Sequence, residues 1–154
     1  MTIRPIEIRL IGLPDVEAIL SIQAVSPEIA QWTPGDYGRV ARGEMAGWVA
    51  EEMEGIEGFL VGFLIGRQVL KDLEILNFAV RPDRRREGLG RKLLEKALEW
   101  GRSFEAENAL LEVRASNLAA LNFYDQQGFV AVGRRKGYYR APVDDALVLS
   151  RRLV

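Results

Sequence analysis

The chain has 154 residues, 48% of them apolar and 28% charged, which is too apolar for disorder and the size of one globular domain spanning 1–154. Cysteine and histidine are both absent, which excludes disulfides, Ser-His-Asp and Cys-His catalysis, and the common zinc sites; no metal is expected. The net charge of −1 speaks against general nucleic-acid binding, yet it is unevenly spread: residues 1–80 hold 6 Lys and Arg against 12 Asp and Glu, and residues 81–154 hold 15 against 10.

Met1 to Arg9 lacks the apolar core of a signal peptide. The most apolar run, Gly58 to Gly66, is bounded by Glu57 and Arg67 and is too short to span a bilayer. A cytoplasmic protein without a membrane role is therefore expected. Ile6 to Leu10 reads as a first strand, followed by a helix with Val16, Ile19, Leu20 and Gln23 at helical spacing. Ser26 to Arg42, with Pro27, Pro34, Gly35 and Gly38, reads as short helices or turns. Trp48–Met53, Phe59–Val69 and Leu73–Val80 form an expected antiparallel meander. A helix of about four turns follows, with Leu89, Leu93 and Ala97 on one stripe and Leu94 and Leu98 beside it. Ala109–Val113 is a short strand. Ser116 or Asn117 caps a helix running to Gln127, Gly128 follows it, and Phe129–Arg135 and Ala146–Leu153 close the chain as strands. The expected class is α/β, with a mixed central sheet.

The sharpest local feature is Arg84-Arg85-Arg86-Glu87-Gly88-Leu89-Gly90-Arg91, between a strand and the long helix. Gly88 and Gly90 permit a tight turn and close approach to a ligand. The helix start offers unpaired N–H groups to an anion, above all a phosphate. The third glycine of a dinucleotide fingerprint is missing, and so is the Gly-Lys-Ser/Thr of a P-loop. The same residues also suit a solvated basic loop.

Glu112 lies in a largely apolar strand, where shielding would raise its pKa and suit it to general-base work; it can equally be paired with Arg114 or another arginine. Tyr124, on the helix opened near Asn117, is either a core aromatic or a proton donor, since a phenol stays protonated at neutral pH. Tyr138 and Tyr139 line a groove or decorate a turn. The acidic stretch Glu51, Glu52, Glu54 and Glu57 is either a cation-attracting surface or a solvated hairpin.

Together these residues resemble the GCN5-related N-acetyltransferases over nearly the whole chain, most clearly from Leu76 to Tyr139. Arg85-Arg86-Glu87-Gly88-Leu89-Gly90 is similar to that family's acetyl-CoA loop, and Leu76 to Pro82 to the strand that pairs with pantetheine. Asn117, Leu121, Tyr124 and Gly128-Phe129 match its later pattern. Leu111-Glu-Val-Arg-Ala-Ser-Asn117, Tyr124 and Arg134-Arg135-Lys136-Gly137-Tyr138-Tyr139 resemble, more narrowly, the ribosomal-protein-alanine N-acetyltransferases.

The resemblance implies a mostly antiparallel sheet flanked by helices, with an acetyl-CoA cleft between splayed central strands. It implies Glu112 as general base and Tyr124 as general acid. Phe78, Ala79 and Val80, the loop residues Arg86, Glu87, Gly88, Leu89, Gly90 and Arg91, and Asn117 would hold acetyl-CoA. Tyr138, Tyr139 and Trp32 would border the acceptor, the N-terminal peptide of a ribosomal protein. Two other readings stand beside this one: acetylation of a small-molecule amine such as a polyamine or aminoglycoside, and a non-enzymatic phosphate- or RNA-binding module built on the basic segments 81–92 and 134–140.

Overall fold

The computed structural model describes residues 4–154; the leader reading of Met1 to Arg9 falls partly on residues 1–3, which lie outside them. Seven strands, β1 (Ile6–Leu10), β2 (Ala46–Glu54), β3 (Glu57–Val69), β4 (Asp72–Val80), β5 (Asn108–Arg114), β6 (Val130–Arg140) and β7 (Val143–Arg152), form one sheet in the order β1-β2-β3-β4-β5-β7-β6. Four α-helices flank it: α1 (Val16–Ala24), α2 (Pro34–Ala41), α3 (Leu89–Ser103) and α4 (Leu118–Gln126). β4 and β5 are the parallel pair, joined by α3, and the other pairings are antiparallel. Among the described residues no helix is long and apolar enough to cross a membrane.

The expected elements are all present, but the closing hairpin is longer than expected. β6 runs on to Arg140 and β7 begins at Val143, so Tyr138 and Tyr139 lie in a strand and not in a turn. The acids of β7 hold the hairpin tip: Asp145 accepts from Gly137 N at 2.8 Å and from Arg134 Nε at 2.7 Å. Asp144 accepts from the Ser116 hydroxyl, and Arg114 donates to Pro142 O at 3.0 Å.

Each face of the sheet has its own core. The stripe of α3, Leu89, Leu93, Leu94, Ala97 and Leu98, packs with Trp48, Val61, Leu64, Leu73 and Ile75. On the opposite face Ile19, Ile22, Tyr37 and Val40 of α1 and α2 pack with Val49, Phe63, Ile65 and Ala79. The helical spacing of apolar residues in α3 thus does what amphipathicity requires, burying one side while Arg91 and Glu95 pair on the other at 3.5 Å.

The site lies beside an irregularity in β4. Asn77 pairs with Ile65 and Ile75 with Gly66, so Leu76 is one residue extra against β3. A bulge of this kind reverses the alternation of faces. Leu73 and Ile75 belong to the α3-side core before it, Phe78 and Val80 pack against that core after it, and Leu76 and Ala79 face α1 and α2. The bulge also bends the strand. β4 and β5 pair over Asp72–Glu74 and Asn108–Leu110, just short of the bulge, and then part.

Candidate active site

Where β4 and β5 part, a cleft of about 700 Å³ opens through the sheet. It brings together seven of the residues singled out in the sequence: Trp32, Phe78, Glu112, Asn117, Tyr124, Tyr138 and Tyr139. Ala79, Val80 and residues 86–91 do not line this cavity. The N-terminus of α3 nevertheless abuts its wall, since a Cβ on Gly90 would lie 3.4 Å from the Phe123 ring and 3.6 Å from that of Phe78.

Alternation in β5 decides where Glu112 points. Ala109, Leu111 and Val113 are buried in the α3-side core, so Leu110, Glu112 and Arg114 take the other face. That face has no helix over it here. The expected apolar shielding of Glu112 is therefore absent: its side chain is 30% exposed, and Arg135 Nε sits 2.9 Å from Oε1. Arg135 comes from β6, two strands away, and reaches across β7. The Tyr138 phenol is pushed up by the Glu112 charge beside it, and that of Tyr139 by burial and then by Glu112. The Arg114 guanidinium lies 4.2 Å from the centre of the Tyr139 ring and is thereby fixed away from Glu112.

Tyr124 reaches the cleft from the opposite side. It lies in the α3-side core, edge-on to Phe78, Phe123 and Phe129, and is 8% exposed. Burial holds its phenol well above the ordinary value. Asn117, not Ser116, caps α4, its Oδ1 accepting from Ala120 N at 3.2 Å.

The glycine loop departs from expectation in two ways. Left-handed backbone occurs at Arg86 (φ +66°) and Gly88 (φ +81°), while Gly90 lies inside the first turn of α3. Gly88 supplies the turn, and Gly90 supplies room for Phe123. Consecutive amides around such left-handed residues, running into a helix start, form a concave set of donors. The arginines contribute less free charge than their number suggests. Arg84 is paired with Glu52 at 2.7 Å and Glu87 at 2.9 Å, Arg85 with Glu28 at 2.7 Å, and Arg81 with Asp83 at 2.9 Å. Arg84 holds the carboxyls of Glu52 and Glu87 below their usual range. The acidic hairpin is likewise engaged, with Glu51 on Arg9 at 3.0 Å and Glu54 on Arg4 at 3.3 Å.

The edge groups of β4 are also fewer than expected. Arg81 N donates to Val61 O at 2.8 Å, so by alternation Ala79 turns its backbone groups to β3 and Phe78 and Val80 turn theirs to the opening. The Phe78 N–H is already bonded to Asn77 Oδ1 at 3.1 Å. Val80 thus carries the free edge N–H.

One wall of the cleft is held by a buried polar network with no obvious sequence signature. Asn77, 4% exposed, donates to the Tyr37 hydroxyl at 3.0 Å and to Ala30 O at 3.1 Å. Tyr37 donates in turn to Gln23 Oε1. Gln23 also accepts from Trp32 N at 3.0 Å and donates to Trp32 O at 2.9 Å. Trp32 is thereby clamped between α1, α2 and β4. Arg135 and the Arg67–Glu74 pair on the cleft floor, at 2.7 Å, are likewise residues that the sequence did not single out, although Arg135 stood in a visibly basic run.

Residues 15–129 match the acetyltransferase (GNAT) family. The chain is 31% identical over 143 residues, 92% of each chain, to a Bacillus subtilis protein provisionally named [ribosomal protein bS18]-alanine N-acetyltransferase. Its fold superposes with a TM-score of 0.80 on the crystal structure of the ribosomal-protein-S18-alanine N-acetyltransferase from Escherichia coli, at 25% identity, covering 97% of this chain and 94% of that one. A TM-score of 0.87 relates it to Arabidopsis thaliana NAA60 in complex with acetyl-CoA, at 20% identity, with 96% and 98% of the two chains covered.

Proposed function

The chain belongs to the acetyltransferase (GNAT) family, and from that premise we propose that it acetylates the α-amine of a protein N-terminus, the N-terminal alanine of a small-subunit ribosomal protein, with Glu112 as base and Tyr124 as acid. It is an N-acetyltransferase with acetyl-CoA as cosubstrate. The observation that carries the mechanism is the meeting of Glu112 and Tyr124 in one cleft from opposite sides of the sheet. An amine approaching on the Glu112 side and a thiolate leaving on the Tyr124 side share one opening.

The residues present suit acetyl-CoA. Left-handed backbone at Arg86 and Gly88 and open space above Gly88 make a cradle that any Cβ with its strain would spoil. The N–H groups from Arg86 to Arg91 hold the pyrophosphate. The free Val80 N–H and the Phe78 carbonyl meet the pantetheine amides as an added strand would, and the Asn117 amide NH₂, left over by its capping bond, meets them from the far side. Bound there, acetyl-CoA supplies the activated acetyl group.

Glu112 takes a proton from the acceptor ammonium, whose pKa of about 8 makes this a modest task. The neutral amine nitrogen then forms its bond to the acetyl carbon as the carbon–sulfur bond breaks, and the second proton it sheds on becoming an amide returns through solvent to the Tyr124 oxygen, which has protonated the sulfur. Tyr124, kept protonated by burial, gives its proton to the sulfur. Tyr138, Tyr139 and the clamped Trp32 border the peptide.

The relative from Bacillus subtilis supports the ribosomal acceptor by its name, and the composition of the cleft supports a peptide over a polyamine. Glu28, Glu74 and Glu112, the carboxylates of its lining, are each paired with an arginine, so the wall is not the anionic groove a polycation needs. The pairing of Arg81, Arg84 and Arg85 similarly weakens the RNA-binding reading. The test is mass spectrometry of alanine-initiated peptides and spermine incubated with acetyl-CoA. Acetylation of the peptide α-amine is expected. Acetylation of spermine alone would overturn the reading.

A further inference from the structure

An acceptor amine arrives protonated and must find a carboxylate, yet each of the three lining the cleft already has a guanidinium partner. Arg85 lies 2.7 Å from Glu28, Arg67 2.7 Å from Glu74 and Arg135 2.9 Å from Glu112. Binding is then an exchange of cations, not the addition of one.

We propose that Arg135 is a specificity-determining residue that occupies, in the substrate-free enzyme, the place on Glu112 that the acceptor ammonium takes. The inference rests on the functional reading above. Three features of Arg135 fit it for displacement. Its Nε lies 2.9 Å from Glu112 Oε1, and among the described residues no guanidinium hydrogen bond accompanies this pair, unlike the two-point forks of Arg9 on Asp15 and Arg84 on Glu52. Its side chain is 59% exposed, so it can swing out without opening the core. The Tyr138 ring already lies 5.7 Å from its guanidinium carbon, a contact it can keep on leaving Glu112. The other groups around Glu112 do not compete for the role. Arg114 is committed to the Tyr139 ring and the Ala141 and Pro142 carbonyls, and Tyr138 and Tyr139 are phenols. The consequence is that an amine alone gains little from Glu112, and affinity must come from the peptide that follows it.

The experiment compares an alanine-initiated peptide with its des-amino analogue, in which the terminal amine is replaced by hydrogen. Binding to the CoA-loaded enzyme is measured by calorimetry at pH 6, where the amine is charged. In Arg135→Gln the preference for the charged peptide should rise about fivefold over wild type, the factor that a unit charge at contact range carries in water. The analogue's own affinity should stay unchanged, and Arg135→Lys should restore the wild-type ratio. An unchanged ratio in Arg135→Gln, in an enzyme whose wild type acetylates the peptide, overturns this proposal alone. So does a Lys variant that behaves as Gln. A wild type that acetylates no peptide overturns the functional reading and this inference with it.

Discussion

Glu112 and Tyr124 face one cleft from opposite sides of the same sheet, one from the open face of β5 and the other from the core beneath α3 and α4. If Glu112 is the base and Tyr124 the acid, as proposed, each would serve one end of the reaction from its own side of the sheet. Glu112→Gln should lower kcat by about a hundredfold or more, with the dissociation constant for acetyl-CoA unchanged. Steady-state kinetics beside calorimetry checks both halves, and an undiminished kcat removes Glu112 from the mechanism.

Tyr124→Phe should cost turnover on a similar scale, about a hundredfold, without loss of fold, because the ring packing against Phe78, Phe123 and Phe129 survives. The thermal transition of the variant should stay close to that of the parent.

Burial raises the phenols of both Tyr37 and Tyr124. In the unfolded chain each ionises at about 10. Between that value and the higher folded one, the folded state binds more protons, so stability is complete below about pH 10 and falls as pH rises. Urea midpoints should therefore drop on the alkaline side of pH 10, and less steeply in Tyr37→Phe. A flat profile to pH 11 contradicts this.

The two loop glycines should behave differently. Gly88→Ala places a Cβ on backbone at φ +81°, a strain of about 1–2 kcal/mol, and should weaken acetyl-CoA binding about tenfold. Gly90→Ala should be mild, since its Cβ meets Phe123 at an ordinary 3.4 Å, whereas Gly90→Val should push Phe123 and Phe78 into the cleft and lower kcat. Calorimetry on the first and kinetics on the others separate the two roles.

Gln23→Ala strips the partners from Trp32 N–H and C=O and from the Tyr37 hydroxyl. Leaving such groups buried and unpaired costs about 1–3 kcal/mol, readable as a lower urea midpoint. With Trp32 unclamped, the acceptor KM should rise while acetyl-CoA affinity holds.

Much of this was legible in the chain because it was local. The apolar stripe of α3, the Asn117 cap and the glycine before the long helix each announce themselves within a few residues. The relations between distant segments did not. Nothing in Arg135 names Glu112 as its partner, because the contact exists only once β7 has inserted between their strands. The exposure of Glu112 was hidden for a related reason. An apolar run in a strand suggests burial on both faces, but here Leu110, Glu112 and Arg114 lie on the part of the α1–α2 face that those helices do not reach. The network of Gln23, Tyr37 and Asn77 is likewise assembled from three elements, each unremarkable alone.

The extra residue at Leu76, beside the point where β4 and β5 part, gives this part of the cleft an unusual kind of durability. The bulge is a frame error held in the backbone: a count of residues between two turns, not a set of side chains. Substitution can reshape the walls beside it and change what enters, but leaves the count as it is. Removing one residue there should bring β4 back into step with β3.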